Sequence, residues 1–183
     1  MSSTDTGRQI RRPLAGLVLM GAALLALTSG PTRAAPADGA TVERGRYLAQ
    51  AGDCVACHTA DKGAPMAGGR GLETPFGKLY STNIAPDRET GIGKYSFEQF
   101  DRAMRKGVAA DGHNLYPAMP YPSYARMTAD DMQALYAYLM QGLAPVKQAN
   151  KPSDMHWPFT MRWGLSLWNW AFLDTTPFKP DPK

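Results

Sequence analysis

Cys54-Val55-Ala56-Cys57-His58 is the stretch on which the reading of this chain turns. On a helical turn, positions three apart share a face, so the two thiols of this C-x-x-C-H run lie on one side. A structural zinc site needs four ligands, and neither a second cysteine pair nor an H-x-H spacing accompanies this one. A thioredoxin-like redox pair belongs in a βαβ context, which nothing upstream of Cys54 supplies. A chance match is the remaining bland alternative. The arrangement that uses all three residues is the attachment of c-type haem. Cys54 and Cys57 reach the two vinyl groups of one porphyrin, and His58 directs its imidazole at the iron from one side. With one such motif in the chain, one covalent haem c is expected.

The second axial ligand must come from the opposite face, hence from a distant part of the chain. Beyond His58 the candidates are His113, His156 and the methionines. Met119 stands out because it sits in the proline-punctuated loop Tyr116-Pro117-Ala118-Met119-Pro120-Tyr121-Pro122. Prolines on both sides restrict the backbone, which helps a weak thioether hold its place against water. Met104 and Met132 fall on apolar helical stripes and read as core, the usual role of methionine. Met66 is too close to His58 in sequence to cross a haem, and His113 is the runner-up ligand. Two filled axial positions leave no site for oxygen or substrate, so the chemistry expected is electron transfer. An iron ligated by His58 alone is the alternative, and would make a haem enzyme or a ligand sensor. Asn83, Tyr80, Tyr95 and Arg70 are candidates to steady the propionates.

Around the motif lie 183 residues, room for one ordinary domain. Apolar residues make up 44%, enough for a packed core. The net charge of +4 arises largely from Arg8, Arg11, Arg12 and Arg33, and residues 35–183 are nearly neutral. That is no footprint for nucleic acid. Arg8, Arg11 and Arg12 precede the uncharged run Leu14–Leu27, LAGLVLMGAALLAL, which is shorter than the ~20 residues of a spanning helix. Small and helix-breaking residues follow, with cleavage expected after Ala34 or Ala37. Basic, then apolar, then small is the order of a secretory signal, and a retained anchor is the alternative. The organisation expected is an export signal over 1–34, a mono-haem domain over 35–150 and a Trp-rich extension over 151–183, in a periplasmic protein.

Helices are expected over Thr41–Ala51, with Val42, Tyr47, Leu48 and Ala51 inward, and over Ser96–Lys106 and Thr128–Gln141. Gly45 is read as a point of close helix approach. Ser96 with Gln99 forms a capping-box pattern, and Thr128 caps the third helix. Lys62–Gly93 reads as loops with one hairpin edge at Lys78–Thr82. Val108–Arg126 reads as a loop, and a short helix is expected within Arg162–Phe172. All four tryptophans, Trp157, Trp163, Trp168 and Trp170, fall in the tail. Such a cluster reads either as a docking element or as a cover folded back on the domain.

Taken together, the signal, CxxCH, a methionine in a Pro-rich loop and a following helix resemble a class I cytochrome c. GRYLAQAGDCVACHT, GGRGLETPFGKLYSTNIAPDRETGIGKYSFEQF and DGHNLYPAMPYPSYARMTADDMQALYAYL resemble the first domain of trihaem cytochrome c subunits of membrane-associated bacterial dehydrogenases. The resemblance implies a mainly α fold of three to five helices around the haem. It implies Cys54 and Cys57 as the covalent attachment, and His58 and Met119 as iron ligands. It also implies a dehydrogenase catalytic subunit as electron donor, a cytochrome or quinone-linked acceptor, and peripheral membrane association. Those subunits carry three CxxCH motifs and this chain carries one, so a mono-haem relative and a shortened trihaem subunit are both expectations it raises.

Overall fold

The first helix, α1 (Gly39–Ala51), starts at Asp38, whose Oδ1 accepts the Thr41 N–H at 2.7 Å. The computed structural model describes residues 36–179, so the export-signal reading of residues 1–34 lies outside the described residues. The inward face of α1 is formed by Gly45 and Ala49, with Val42 and Leu48 half-buried. Tyr47 and Ala51, expected on that face, are exposed. The reason is the closeness of α5 (Ala129–Ala137): a Cβ on Gly45 would lie 1.9 Å from the Ala134 carbonyl oxygen. At that separation only Gly and Ala fit the seam, and the large side chains are turned aside.

A single turn, α2 (Cys54–Cys57), follows α1 through Gly52 and Asp53. The next 38 residues are mostly loop, as their Gly and Pro content requires, and they carry the antiparallel pair β1 (Gly71–Thr74) and β2 (Gly77–Tyr80). The hairpin thus begins earlier than Lys78. A third strand, β3 (Asp154–Met155), comes from the tail and pairs with β2, which the sequence did not signal.

The capping box forms as its spacing predicts at α3 (Phe97–Lys106), and Gly107 ends that helix in the left-handed region at φ +61°. The loop after it contains one helical turn, α4 (Tyr121–Tyr124), with Pro122 in the first turn, where its missing N–H costs nothing. Thr128 caps α5, and its Oγ1 accepts the Asp131 N–H at 3.2 Å. The helix expected to reach Gln141 is α-helical only to Ala137 and continues as a wider π-helical turn, Tyr138–Gly142, in which Gly142 lies against the Tyr138 ring. A last helix, α6 (Gly164–Phe172), lies in the tail.

Among the described residues there are six α-helices, two of them single turns, against the three to five expected. Their core is Ala49, Met66, Ile92, Phe100, Met104, Met132, Leu135 and Leu139. Tyr136 stacks on Phe97 and Phe100 and donates its hydroxyl to the Tyr95 carbonyl at 2.8 Å, so it is half-buried with its polar end satisfied. Met66, Met104 and Met132 are all core residues. Among the described residues no helix is long and apolar enough to cross a membrane.

Candidate haem site

Asp53 enters α2 in the left-handed region, φ 50°, a conformation that short polar side chains tolerate. This bend sets Cys54 against the core while Cys57, one turn on, is exposed. Burial pushes the Cys54 thiol up to about 11, with the charge of Asp53 and the neighbouring Cys57 adding to it. A redox-active CxxC requires the opposite, a thiol shifted down into the range where thiolate forms. Cys54 is therefore poorly suited to thiol–disulfide exchange.

His58 closes the turn, and its N–H donates to the Cys54 carbonyl at 2.9 Å. Its Nδ1 lies 2.7 Å from the carbonyl oxygen of Thr82. A carbonyl only accepts, so Nδ1 carries the proton and Nε2 keeps a free lone pair for a metal. Desolvation lowers the imidazole pKa against the opposing effect of this hydrogen bond, which favours the neutral ring that ligation requires.

Thr82 is held from two sides. Gly68, at φ +73°, donates its N–H to the His58 carbonyl at 2.7 Å and packs directly on the Thr82 peptide. On the other side is Asn83, only 2% exposed, whose Nδ2 donates to the Val146 carbonyl at 2.7 Å and to Thr90 Oγ1 at 3.2 Å. Its Oδ1 accepts the Ala85 N–H at 2.9 Å. Asn83 thus spends its amide on backbone and on Thr90, and braces the adjoining Thr82 carbonyl rather than standing as a free donor for a propionate.

The other propionate candidates are scattered in their contacts. Tyr80 lies under the ammonium groups of Lys78 and Lys151, the Tyr95 hydroxyl accepts the Ala110 N–H at 3.3 Å, and Arg70 faces Asp61 at 3.8 Å. His113 is exposed, with Nδ1 2.6 Å from Asp111 Oδ1. His156 is also exposed, and its backbone N–H donates to Phe76 beside β3.

Met119 is half-buried and packs against the same apolar core as Cys54. Its N–H donates to the Tyr116 carbonyl at 3.1 Å, and its carbonyl accepts the Tyr121 N–H at 2.7 Å. Two residues after Pro122, Tyr124 donates its hydroxyl to the Gly52 carbonyl at 2.9 Å, directly tying the segment after Met119 to the approach into CxxCH. Burial pushes this hydroxyl up to about 12, with the Cys54 and Cys57 sulfurs contributing. Thr82, Gly68 and Tyr124 were missed from sequence. A backbone carbonyl has no residue signature, and one tyrosine among eight carries no signal of its own.

Two thiols one helical turn apart, a neutral imidazole with Nε2 free and a half-buried thioether on the core that Cys54 also touches are donors of the kinds that a covalently attached haem uses. A mainly helical domain with these donors defines a c-type cytochrome. The family model described as Cytochrome c matches residues 42–142, and the chain belongs to that family. It is 58% identical over 145 residues to the gluconate 2-dehydrogenase cytochrome c subunit of Pantoea cypripedii, covering 79% of this chain and 33% of that protein. It is 51% identical over 168 residues to the cytochrome c subunit of an alcohol dehydrogenase (quinone) from Gluconacetobacter polyoxogenes, covering 91% of this chain and 35% of the relative. A diheme cytochrome c-type protein of Cereibacter sphaeroides is 35% identical over 179 residues, 93% of this chain and 59% of its own length. The chain spans about a third of the length of the two dehydrogenase subunits.

Proposed function

We propose that this chain is a class I cytochrome c that passes single electrons from the catalytic subunit of a dehydrogenase towards a cytochrome or quinone-linked acceptor, through one haem. In this reading Cys54 and Cys57 form the two thioether links, and His58 Nε2 and the Met119 sulfur are the axial ligands. When bound, the haem supplies an iron that cycles between its ferrous and ferric states. The protein does the rest. Thr82 orients the His58 ring, and the backbone hydrogen bonds to Tyr116 and Tyr121 fix the Met119 peptide. With His58 and Met119 both holding the iron, no position would remain for a substrate, and the chemistry would be electron transfer without bond-making.

The observation that carries the reading is the His58–Thr82 hydrogen bond, which selects the tautomer that a haem ligand needs at the one position following C-x-x-C. The partner assignment rests on likeness to subunits named for gluconate and alcohol dehydrogenases. A periplasmic location, with peripheral attachment to the membrane, rests on the basic-then-apolar order of residues 8–27.

The test is haem staining after denaturing electrophoresis of protein exported in a host that attaches c-type haem. The wild-type chain should stain, and the Cys54→Ser/Cys57→Ser double variant should not. Undiminished staining of the double variant would sink the assignment. Reduction of the ferric protein by a gluconate- or alcohol-oxidising catalytic subunit and its substrate checks the partner class. No reduction by either would remove it.

A further inference from the structure

The tail is turned the opposite way from an ordinary amphipathic helix. The α6 sequence GLSLWNWAF has two polar side chains, Ser166 and Asn169, and both make hydrogen bonds to the body of the domain. Most of its large apolar residues are exposed instead: Leu167, Trp168, Trp170 and Phe172, Trp170 by 83%, with Leu165 half-buried. A surface helix placed by hydrophobic burial shows the reverse pattern. Something other than burial therefore sets its position.

The polar contacts converge on one short stretch, the loop that carries Met119. Asn114 Nδ2 donates to Ser166 Oγ at 2.8 Å and to the Arg162 carbonyl at 3.1 Å. Arg162 returns the contact, donating to the Asn114 carbonyl at 3.0 Å, and its guanidinium lies 4.4 Å over the Tyr116 ring. Tyr116 donates its hydroxyl to the Phe159 carbonyl at 2.7 Å. On the far side of Met119, the fully buried Tyr121 donates its hydroxyl to Asn169 Oδ1 at 2.7 Å. Asn169 Nδ2 in turn donates to the Lys106 carbonyl at the C-terminus of α3, where helix carbonyls lack partners.

Tyr116 and Tyr121 are also the two residues whose backbones hydrogen-bond the Met119 peptide. Both hydroxyls are anchored in the tail. We propose that residues 159–169 form a strap that positions Met119, with Arg162 and Asn169 as its positioning residues, so that the tail sets how firmly the thioether holds the iron. The proposal rests on the reading of Met119 as the axial ligand. The physical basis is preorganisation: a weak ligand on a loose loop bears its ordering entropy at each binding event, and a strapped loop does not. Arg162 and Asn169 act through Tyr116, Asn114 and Tyr121.

The experiment titrates the ferric, haem-loaded full chain with imidazole while following the long-wavelength thioether-to-iron charge-transfer band. Five variants are compared: Met119→Ala, Arg162→Ala, Asn169→Ala, Tyr116→Phe and, as an exposed residue of the same helix away from these contacts, Leu167→Ala. Tyr116→Phe keeps the ring under Arg162 and removes only the hydroxyl, so it reads the strap even where the alanine variants fold poorly. The strap variants should retain haem and bind imidazole about twofold to tenfold more tightly than wild type, the range of one net hydrogen bond. Leu167→Ala should match wild type. If Met119→Ala abolishes the band while all three strap variants keep wild-type imidazole affinity, the strap is overturned and the ligand stands. A Leu167→Ala protein that binds imidazole as tightly as the strap variants also overturns it, because the effect is then general packing. If Met119→Ala leaves band and affinity unchanged, the ligand reading itself falls, and the strap with it.

Discussion

A methyl group on Gly68 would stand 2.4 Å from the carbonyl carbon of Thr82, the residue whose oxygen accepts the proton of His58 Nδ1. Glycine at this point is thus a condition of the histidine's orientation. It does two things at once, adopting φ +73° and letting the Thr82 peptide approach.

Gly68→Ala should therefore cost more than backbone strain. Gly112 is the comparison, since it also has positive φ, +91°, but meets nothing within 4 Å. Gly112→Ala should lose about 1–2 kcal/mol, the usual left-handed penalty. Gly68→Ala should lose more than that and also perturb the haem spectrum, because Thr82 must move. Urea unfolding of the two haem-loaded variants gives the comparison; equal losses and an unchanged spectrum would contradict it.

At Gly45 an ordinary propensity rule should reverse its sign. Gly→Ala inside a helix normally stabilises by about 1 kcal/mol. Here the new methyl would meet the Ala134 carbonyl oxygen at 1.9 Å and the Tyr138 Cβ at 2.7 Å, so α1 and α5 must separate. Gly45→Ala is expected to destabilise by roughly 1–3 kcal/mol, the scale of an overpacked core. Gly39→Ala, with open space around it, should be neutral or stabilising. Chemical denaturation with either order reversed would refute the close-approach argument.

Met119 and Met104 should separate function from packing. Met104 is 6% exposed in the core, and Met104→Ala should lose roughly 2–5 kcal/mol of stability with little spectral change. Met119, half-buried, should cost less stability on truncation to alanine but open the sixth position, so that carbon monoxide binds readily to the reduced protein. Carbon monoxide binding and thermal melts of both variants supply the check. Should His113→Ala change the spectrum and Met119→Ala not, the axial assignment moves to His113.

Acid sensitivity should be traceable in part to Asp87. Thr90 donates both its hydroxyl and its N–H to Asp87 Oδ1 at 2.7 Å, holding the carboxyl below its ordinary value of 3.8. A group lowered in the folded state takes up its proton first in the unfolded chain, so its stabilisation is present above 3.8 and is lost as pH falls through the folded value. Asp87→Asn keeps an acceptor oxygen and does not titrate. Its melting temperature should fall less steeply than wild type below pH 3.8, in scans read by circular dichroism.

Much of this protein's local structure was legible because it is encoded over three or four residues. Ser96 and Gln99 specify a helix start by reciprocal hydrogen bonds, Thr128 another, and Gly107 a stop, all readable without knowing what lies nearby. Cys54, Cys57 and His58 are of the same kind, since one helical turn suffices to bring them together. Even the packing of Gly45 was signalled by a glycine where a helix former belonged.

What the tertiary structure decided are the contacts that join stretches far apart in the chain. His58 is oriented by the carbonyl of Thr82, a group that every residue possesses and no sequence pattern distinguishes. Asn83 looked like a propionate donor by residue type and is instead consumed by Thr90 and the carbonyls of Val146 and Gln148. The tail shows the same division. Its tryptophans announced an apolar surface, and the two readings of it as dock or as cover were equally consistent with composition. The fold ties the half-buried Asn169 and the exposed Ser166 to Tyr121 and Asn114 on the Met119 loop and leaves Trp157 and Trp170 79% and 83% exposed, because hydrogen-bond partners on the loop, and not apolar area, set the helix's rotation. Composition counts groups; only the folded chain determines which of them meet.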